Sequence, residues 1–282
     1  MRRRGRRFRV AAPPAGPARS RIPTAAVLLA LVGAWSCAEG PPSARAVPTG
    51  GRADPAPASA PAEAPTLAIF VYDRSTSIPD YQIAAARELT DRRVGDLDHG
   101  DRIAALELLQ RSLAEPPRRW SQPVPDREFP DRAIASDSVS RVRFLRDARA
   151  YLRSFTDTAG RGRIDGTDVL STLHDVAEEM RGHPDHEPVL YLFSDMLQVN
   201  ALMNLEGLRR PPPRDWVASA ARAGKLPDLS GLCVVAVGAR VDTEPAQAVK
   251  AFWTGYFRAT GADLRENNWT YRPVVLPERP CP

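Results

Sequence analysis

Five oxygen-bearing side chains in three separate segments of the chain could together hold a hard cation. They are Asp73, Ser75, Ser77, Thr167 and Asp195. Carboxylate and hydroxyl oxygens are the ligands that magnesium, manganese and calcium prefer in proteins. Such a site needs no general base, nucleophile or phosphate-binding loop, so its chemistry indicates metal-dependent recognition and not catalysis.

Both carboxylates follow apolar runs that are typical of buried parallel strands. Residues 67–72 end at Asp73, and residues 189–193 come just before Asp195. Ligands of an open α/β sheet bind outside the carboxyl ends of its strands, which is where both side chains are expected. Within the first segment the alternate positions 73, 75 and 77 can turn toward one point, which leaves Arg74 pointing away.

Strand and helix patterns alternate from residue 66 onward. This alternation predicts an α/β domain with a central, mostly parallel sheet flanked by helices. An irregular edge or inserted loop with solvated charges is predicted for the Pro- and Arg-rich stretch 111–132. Further strands are predicted at 102–109 and 231–238, and helices at 80–94, 138–155, 170–180, 216–223 and 244–260.

The order of the five oxygen ligands resembles the von Willebrand factor A family and its metal-ion-dependent adhesion site. That family has an Asp-x-Ser-x-Ser segment after its first strand, a distant Thr, and an Asp after a later strand. The resemblance covers about residues 66–270. The matching positions here are Asp73, Ser75, Ser77, Thr167 and Asp195.

The resemblance implies a Rossmann-like fold and a bound Mg²⁺, with Mn²⁺ or Ca²⁺ as alternatives. Ser75, Ser77 and Thr167 would contact the cation through their hydroxyls, and the two aspartates would act directly or through water. Two carboxylates neutralise a divalent ion, so three neutral hydroxyls leave it electrophilic. An Asp or Glu of a partner protein could then complete the coordination, which implies recognition without enzymatic activity.

Met196 departs from the family pattern, because a glycine often follows the aspartate that corresponds to Asp195. This difference is expected to reshape the loop at the metal. It keeps open an alternative in which the domain is a metal-free interaction scaffold. A second alternative is a phosphohydrolase with Asp73 as nucleophile, although Ser75 stands where such enzymes usually place an acid/base carboxylate.

The N-terminal segment predicts export. Residues 1–21 hold eight arginines and no acidic residue, and a short apolar run of about 14 residues follows. This run is too short to span a bilayer, which needs about 20 residues, so residues 1–36 are predicted as a signal peptide. The residues before Cys37 resemble a bacterial lipoprotein processing site, which implies a lipid anchor at Cys37 on an exported, envelope-bound protein. Trp35 is bulkier than is usual in such a site, so ordinary signal cleavage and secretion is the alternative.

The Pro- and Ala-rich segment 37–65 is predicted as a disordered linker, because it lacks the apolar residues that a core requires. The folded domain is then expected at 66–270, with a C-terminal tail at 271–282. Without the leader the chain has 31 basic and 34 acidic residues, a net charge of −3. The overall charge of +5 therefore reflects the leader, and nucleic acid is not an expected partner.

The remaining cysteines leave two interpretations open. Cys233 and Cys281 could form a disulfide in an oxidising compartment. Alternatively, Cys233 is a small buried apolar residue and Cys281 a free thiol near the C-terminus. The sequence does not decide between them.

Overall fold

The computed structural model describes residues 64–108, 117–127, 135–157, 166–200, 203–205 and 215–272. The predicted signal peptide, Cys37 and nearly all of the predicted linker lie outside these residues, as does Cys281. The domain boundaries inferred from the sequence therefore stay predictions. Within the described ranges, no helix combines the length and apolarity that crossing a membrane requires.

A six-stranded sheet occupies the centre of the domain. Its strands are β1 (Thr66–Asp73), β2 (Arg102–Leu108), β3 (Arg119–Pro123), β4 (Glu187–Phe193), β5 (Cys233–Val237) and β6 (Trp269–Thr270). The spatial order is β3-β2-β1-β4-β5-β6. Every neighbouring pair is parallel except β2 and β3, which pair antiparallel. The predicted mostly parallel sheet is confirmed, and the fold is α/β and Rossmann-like.

Helices cover both faces of this sheet. They are α1 (Asp80–Asp96), α2 (Ala135–Thr156), α3 (Val169–Gly182), α4 (Trp216–Arg222) and α5 (Glu244–Ala259), followed by a short 3-10 helix at Glu266–Asn268. Buried residues of α1 and α2 pack on one face. Buried residues of α3 and α5 pack on the other. The five helices match the five that the sequence patterns predict.

The continuous apolar run of β1 follows from this two-sided burial. Leu67, Ile69 and Val71 belong to the core beneath α3 and α5. Phe70 and Tyr72 face α1 and α2. Because a strand in the middle of a doubly covered sheet has no solvent-facing side, both alternating sets must be apolar.

β1 lies at the point where the strand order reverses. The chain first moves from β1 to β2 on one side, and later enters β4 on the other side. Tyr72 near the end of β1 is paired with Phe193 at the end of β4. The residues that follow these two strands therefore meet at the topological switch point, where open α/β sheets bind ligands.

The Pro- and Arg-rich stretch differs from its prediction in two respects. It contributes β3, an ordered antiparallel edge strand, and two of its arginines are not simply solvated. Arg118 lies near the buried Glu107 and stacks 4.3 Å from the ring centre of Phe155. Arg119 forms ion pairs with Asp175 and Glu178 of α3. These contacts attach β3 to both neighbouring layers.

Candidate metal centre

Asp73 is the most constrained of the predicted ligands. It ends β1 and is only 6 % exposed. Its Oδ1 accepts a hydrogen bond from the backbone N–H of Ser75 at 2.8 Å. Its Oδ2 accepts one from the hydroxyl of Ser194 at 2.6 Å. Each carboxylate oxygen therefore has a donor that fixes its direction.

Ser75 and Ser77 lie together beside Asp73, as the alternation in the sequence predicts. Their hydroxyl oxygens are 2.8 Å apart and share a hydrogen bond. Ser75 is buried, whereas Ser77 is exposed and can meet a ligand from solvent. The turn that presents them is closed by the N–H of Ile78, which donates to the carbonyl of Ser75 at 3.3 Å.

Arg74 points away from this group, also as predicted, and it is buried. Its guanidinium pairs with Glu107 of β2 at 3.1 Å, and both side chains are nearly inaccessible to solvent. The backbone N–H of Arg74 donates to the carbonyl of Leu108 at 3.3 Å. The first ligand segment is therefore anchored to β2 through the residue that follows Asp73.

Asp195 is close enough to Asp73 to change its ionisation. Burial and, second, the charge of Asp195 together raise the pKa of Asp73 from 3.8 to about 7, against the lowering effect of its hydrogen bonds. Asp195 is half-buried, and its Oδ1 accepts the N–H of Leu197 at 3.0 Å. Two carboxylates are thus held together at a place where both would be charged only at a free-energy cost.

Thr167 is placed by backbone pairing with the loop that follows Asp195. Its N–H donates to the carbonyl of Val199 at 3.2 Å, and the N–H of Val199 donates back at 2.7 Å. Thr167 is 2 % exposed. Backbone hydrogen bonds therefore join the segment that carries Thr167 to the loop that carries Asp195.

Asp168 and Gln198 hold this junction, and neither is among the five predicted ligands. Asp168 caps α3 by accepting the N–H of Ser171 at 3.2 Å, and it also accepts the amide of Gln198 at 3.1 Å. Gln198 is fully buried and accepts the N–H of Leu170 at 3.1 Å. An Asp just before a helical pattern is a recognisable cap signal, but nothing local in the sequence indicates its pairing with Gln198.

Ser194 was also missed as a functional residue. Besides its bond to Asp73, its hydroxyl accepts the N–H of Met196 at 3.0 Å. It therefore links the end of β1 to the loop that carries Asp195. Its position directly between the β4 apolar run and Asp195 is the signal that could have identified it.

Met196 occupies the backbone conformation that a glycine would adopt. Its φ is 64°, in the left-handed region that costs non-glycine residues about 1–2 kcal/mol. Its side chain is fully buried, and its carbonyl accepts the indole N–H of Trp253 at 2.8 Å. The burial of its side chain and this hydrogen bond hold Met196 in the left-handed conformation.

The donor set fits a hard divalent cation. It offers carboxylate and hydroxyl oxygens, with no thiol or imidazole among the five predicted residues. The described residues contain no group of three or more His, Cys, Asp or Glu side chains arranged to hold a metal. A site with two carboxylates and three hydroxyls differs from that kind of cluster, and only its oxygen chemistry and charge indicate the ion.

Cys233 is disulfide-bonded and nearly buried at the start of β5. It is therefore not a free thiol. Its pairing with Cys281 stays a prediction, because the latter lies outside the described residues. The same holds for lipidation of Cys37.

Comparison with known proteins finds similarity to solved structures only at the level of the chain's three-dimensional course. The sequence matches no protein-family model and no curated protein. Among solved structures, the chain is similar to a von Willebrand factor type A structure from Catenulispora acidiphila, with a TM-score of 0.34 and 13 % sequence identity. The match covers 70 % of this chain and 43 % of that chain, so this chain spans less than half of that structure's length. A likeness of this degree concerns the general fold alone.

Proposed function

We propose that this protein recognises a partner protein through a divalent cation, in the first place Mg²⁺. The cation would be held by Asp73, Ser75, Ser77, Thr167 and Asp195. The observation that carries the proposal is the buried Asp73, whose pKa of about 7 reflects both its burial and the neighbouring charge of Asp195. A divalent cation would offset that repulsion, and the hydroxyls of Ser75 and Ser77 lie beside it.

The residues around the ligands orient the ligand oxygens and take no part in making or breaking covalent bonds. Ser194 and the N–H of Ser75 orient the Asp73 oxygens. A bound cation supplies an electrophilic centre that a partner's Asp or Glu can complete. The exposed Ser77 and the half-exposed Asp195 leave this side of the site accessible.

The proposed setting of this domain is the cell envelope. A leader at 1–36, a lipid anchor at Cys37 and a linker at 37–65 would place the domain at some distance from the membrane surface. The net charge of −3 without the leader supports a protein partner over nucleic acid.

A metal-free interaction scaffold is the second candidate, and one observation favours it. Both carboxylate oxygens of Asp73 already accept hydrogen bonds within the fold. These donors stabilise the carboxylate from within the fold, so Asp73 could remain buried without any cation. The two candidates differ in whether binding of the partner depends on metal.

Calorimetric titration of the purified protein with Mg²⁺ tests the proposal. We expect saturable binding that Asp73→Asn weakens at least about tenfold, since the variant removes one of two charges that face the cation. Asp185→Asn is the matched control, because Asp185 is exposed in the loop before β4 at the opposite edge of the sheet. It should leave Mg²⁺ binding unchanged.

A pull-down from envelope extract, with and without chelator, then identifies the mode of recognition. A partner retained only with divalent metal supports the proposal. A partner retained equally by wild type and Asp73→Asn in chelator supports the metal-free scaffold.

An assay of phosphate-ester hydrolysis tests the phosphohydrolase alternative. Hydrolysis by the wild type that Asp73→Asn abolishes would favour that alternative.

A further inference from the structure

A cavity of about 440 Å³ lies directly beside the candidate metal centre. Ser77 and Asp195 belong both to the proposed ligand set and to the lining of this cavity. Its volume is in the range of about 300–1,000 Å³ that small-ligand sites occupy. A group bound at the cation would therefore have a pocket next to it.

The described lining of this cavity is mainly apolar. Leu197 and Leu205 come from the loop after β4, and Pro245, Ala246 and Val249 come from the first turns of α5. Apolar surface of this kind gains free energy when it is covered by another apolar group. The chemistry of the wall thus differs from that of the oxygen ligands beside it.

Charge limits what the cavity accepts. Among the described lining residues Arg240 is the only basic one, and its guanidinium is held by Asp242 at 2.9 and 3.0 Å. A lysine or arginine entering the cavity would find the carboxylate of Asp242 already occupied by Arg240, and it would be repelled by the cation at the proposed site. An acidic group is accepted at the cation, and an uncharged apolar group is accepted in the cavity.

We propose that the partner presents an acidic residue flanked by a large apolar one. The acidic side chain binds the cation, and the flanking side chain, of leucine, methionine or phenylalanine size, fills the cavity between Leu205 and Ala246. This inference rests on the proposed metal-dependent function and specifies the partner sequence that the site selects. The occupant is a short acidic–apolar peptide segment of another protein.

Binding of three dye-labelled peptides, measured by fluorescence anisotropy in Mg²⁺, tests the inference. The peptides are Gly-Leu-Glu-Leu-Gly, Gly-Ser-Glu-Ser-Gly and Gly-Lys-Glu-Lys-Gly. We expect the leucine peptide to bind at least about tenfold more tightly than the serine peptide, from burial of one apolar side chain. The lysine peptide should bind most weakly.

Ala246→Phe is the variant that fills the cavity from α5. It should remove the preference for leucine over serine while Mg²⁺ binding without peptide stays unchanged. Ala248→Phe is the matched control, because Ala248 is exposed on the same helix and does not line the cavity. It should bind all three peptides as the wild type does.

The outcomes separate this inference from the proposed function. Equal affinity of the wild type for the leucine and serine peptides overturns the inference and leaves the metal site intact. Saturable Mg²⁺ binding with no affinity for any of the three peptides also overturns the inference. Absence of Mg²⁺ binding to the wild type overturns both.

Discussion

At the level of single residues, Asp73 is a predicted ligand on whose pKa opposing effects act strongly. Its carboxyl is buried and close to Asp195, yet its two oxygens are hydrogen-bonded by Ser75 and Ser194. The hydrogen bonds lower its pKa, whereas burial and the neighbouring charge raise it, and the raising effects are the larger ones. The ionised form is thus held in place but is costly without a compensating positive charge.

The pKa of Asp73 predicts how the stability of the metal-free protein depends on pH. Between the ordinary value of 3.8 and the folded-state value of about 7, the folded protein retains a proton that the unfolded chain has released. The contribution of Asp73 to the free energy of unfolding should therefore decrease as pH rises through this window and stay low above it. Urea unfolding in chelator at several pH values measures this dependence.

Mg²⁺ should stabilise the folded protein most above pH 7, because the ionised carboxylate of Asp73 binds the cation without competition from a proton. Its stabilising effect should thus be larger above pH 7 than at pH 5. Asp73→Asn, which cannot ionise, should lose both the pH dependence of this window and the Mg²⁺ effect. A variant with the same profile as the wild type would show that Asp73 is not the titrating group.

At the level of elements, the metal loop is attached to the sheet by a buried ion pair. Arg74 of the loop and Glu107 of β2 are 3.1 Å apart, with side chains only 2 % and 3 % exposed. Glu107 also accepts the N–H of Arg118 at 3.2 Å, just before β3. One carboxylate thus joins the loop after β1, the strand β2 and the edge strand β3.

Glu107→Gln should destabilise the protein by about 3 kcal/mol, because it removes the buried negative charge with which the Arg74 guanidinium pairs. The double variant Arg74→Met, Glu107→Gln should be less destabilised than Glu107→Gln alone. Chemical unfolding measures both values. Glu88→Gln is the control, since Glu88 pairs with Arg92 on the exposed face of α1, where ion pairs contribute little. A cost no larger than that of the control would contradict the anchoring role of this pair.

The elements themselves could largely be predicted from sequence, because their apolar periodicities are strong. The run before Asp73 reads as a buried strand, and the structure buries it on both faces. Trp253, Tyr256 and Phe257 recur at helical spacing, which is typical of a core-facing stripe, and all three are fully buried. Val142 lies three residues before the buried Leu145, at the spacing of one apolar helix face, but it is 62 % exposed, since periodicity alone does not show which part of a helix lacks a neighbour.

The contacts that unite the site could not be predicted in the same way. The pairing of Thr167 with Val199 and of Asp168 with Gln198 joins residues about 30 positions apart. The two-residue strand β6 is too short for an alternating pattern and was not predicted. The support of Met196 by Trp253 depends on how α5 packs against the β4 loop. Such tertiary contacts have no local sequence signal.

At the level of the whole molecule, the sheet separates the candidate site from the disulfide. Asp73 and Asp195 follow the carboxyl ends of their strands, whereas Cys233 begins β5 at the opposite edge. The parallel strand β6 leaves the sheet at the carboxyl edge, and Tyr271, which follows it, lines the proposed binding cavity. A covalent bond at Cys233 would therefore constrain the chain far from the face that meets a partner.

We predict that Cys233 pairs with Cys281, which leaves Cys37 available for lipidation. A bond across this segment of about 50 residues would stabilise the fold by up to about 4 kcal/mol, mainly by restricting the unfolded chain. Peptide mapping by mass spectrometry without reductant should therefore recover a linked peptide that contains positions 233 and 281. Cys281→Ser should lower the melting temperature, whereas Cys37→Ser should not change it, and Mg²⁺ binding should persist in both because the site lies at the other edge. Recovery of a peptide that links Cys233 to Cys37 would contradict the pairing and, with it, the proposed anchor at Cys37.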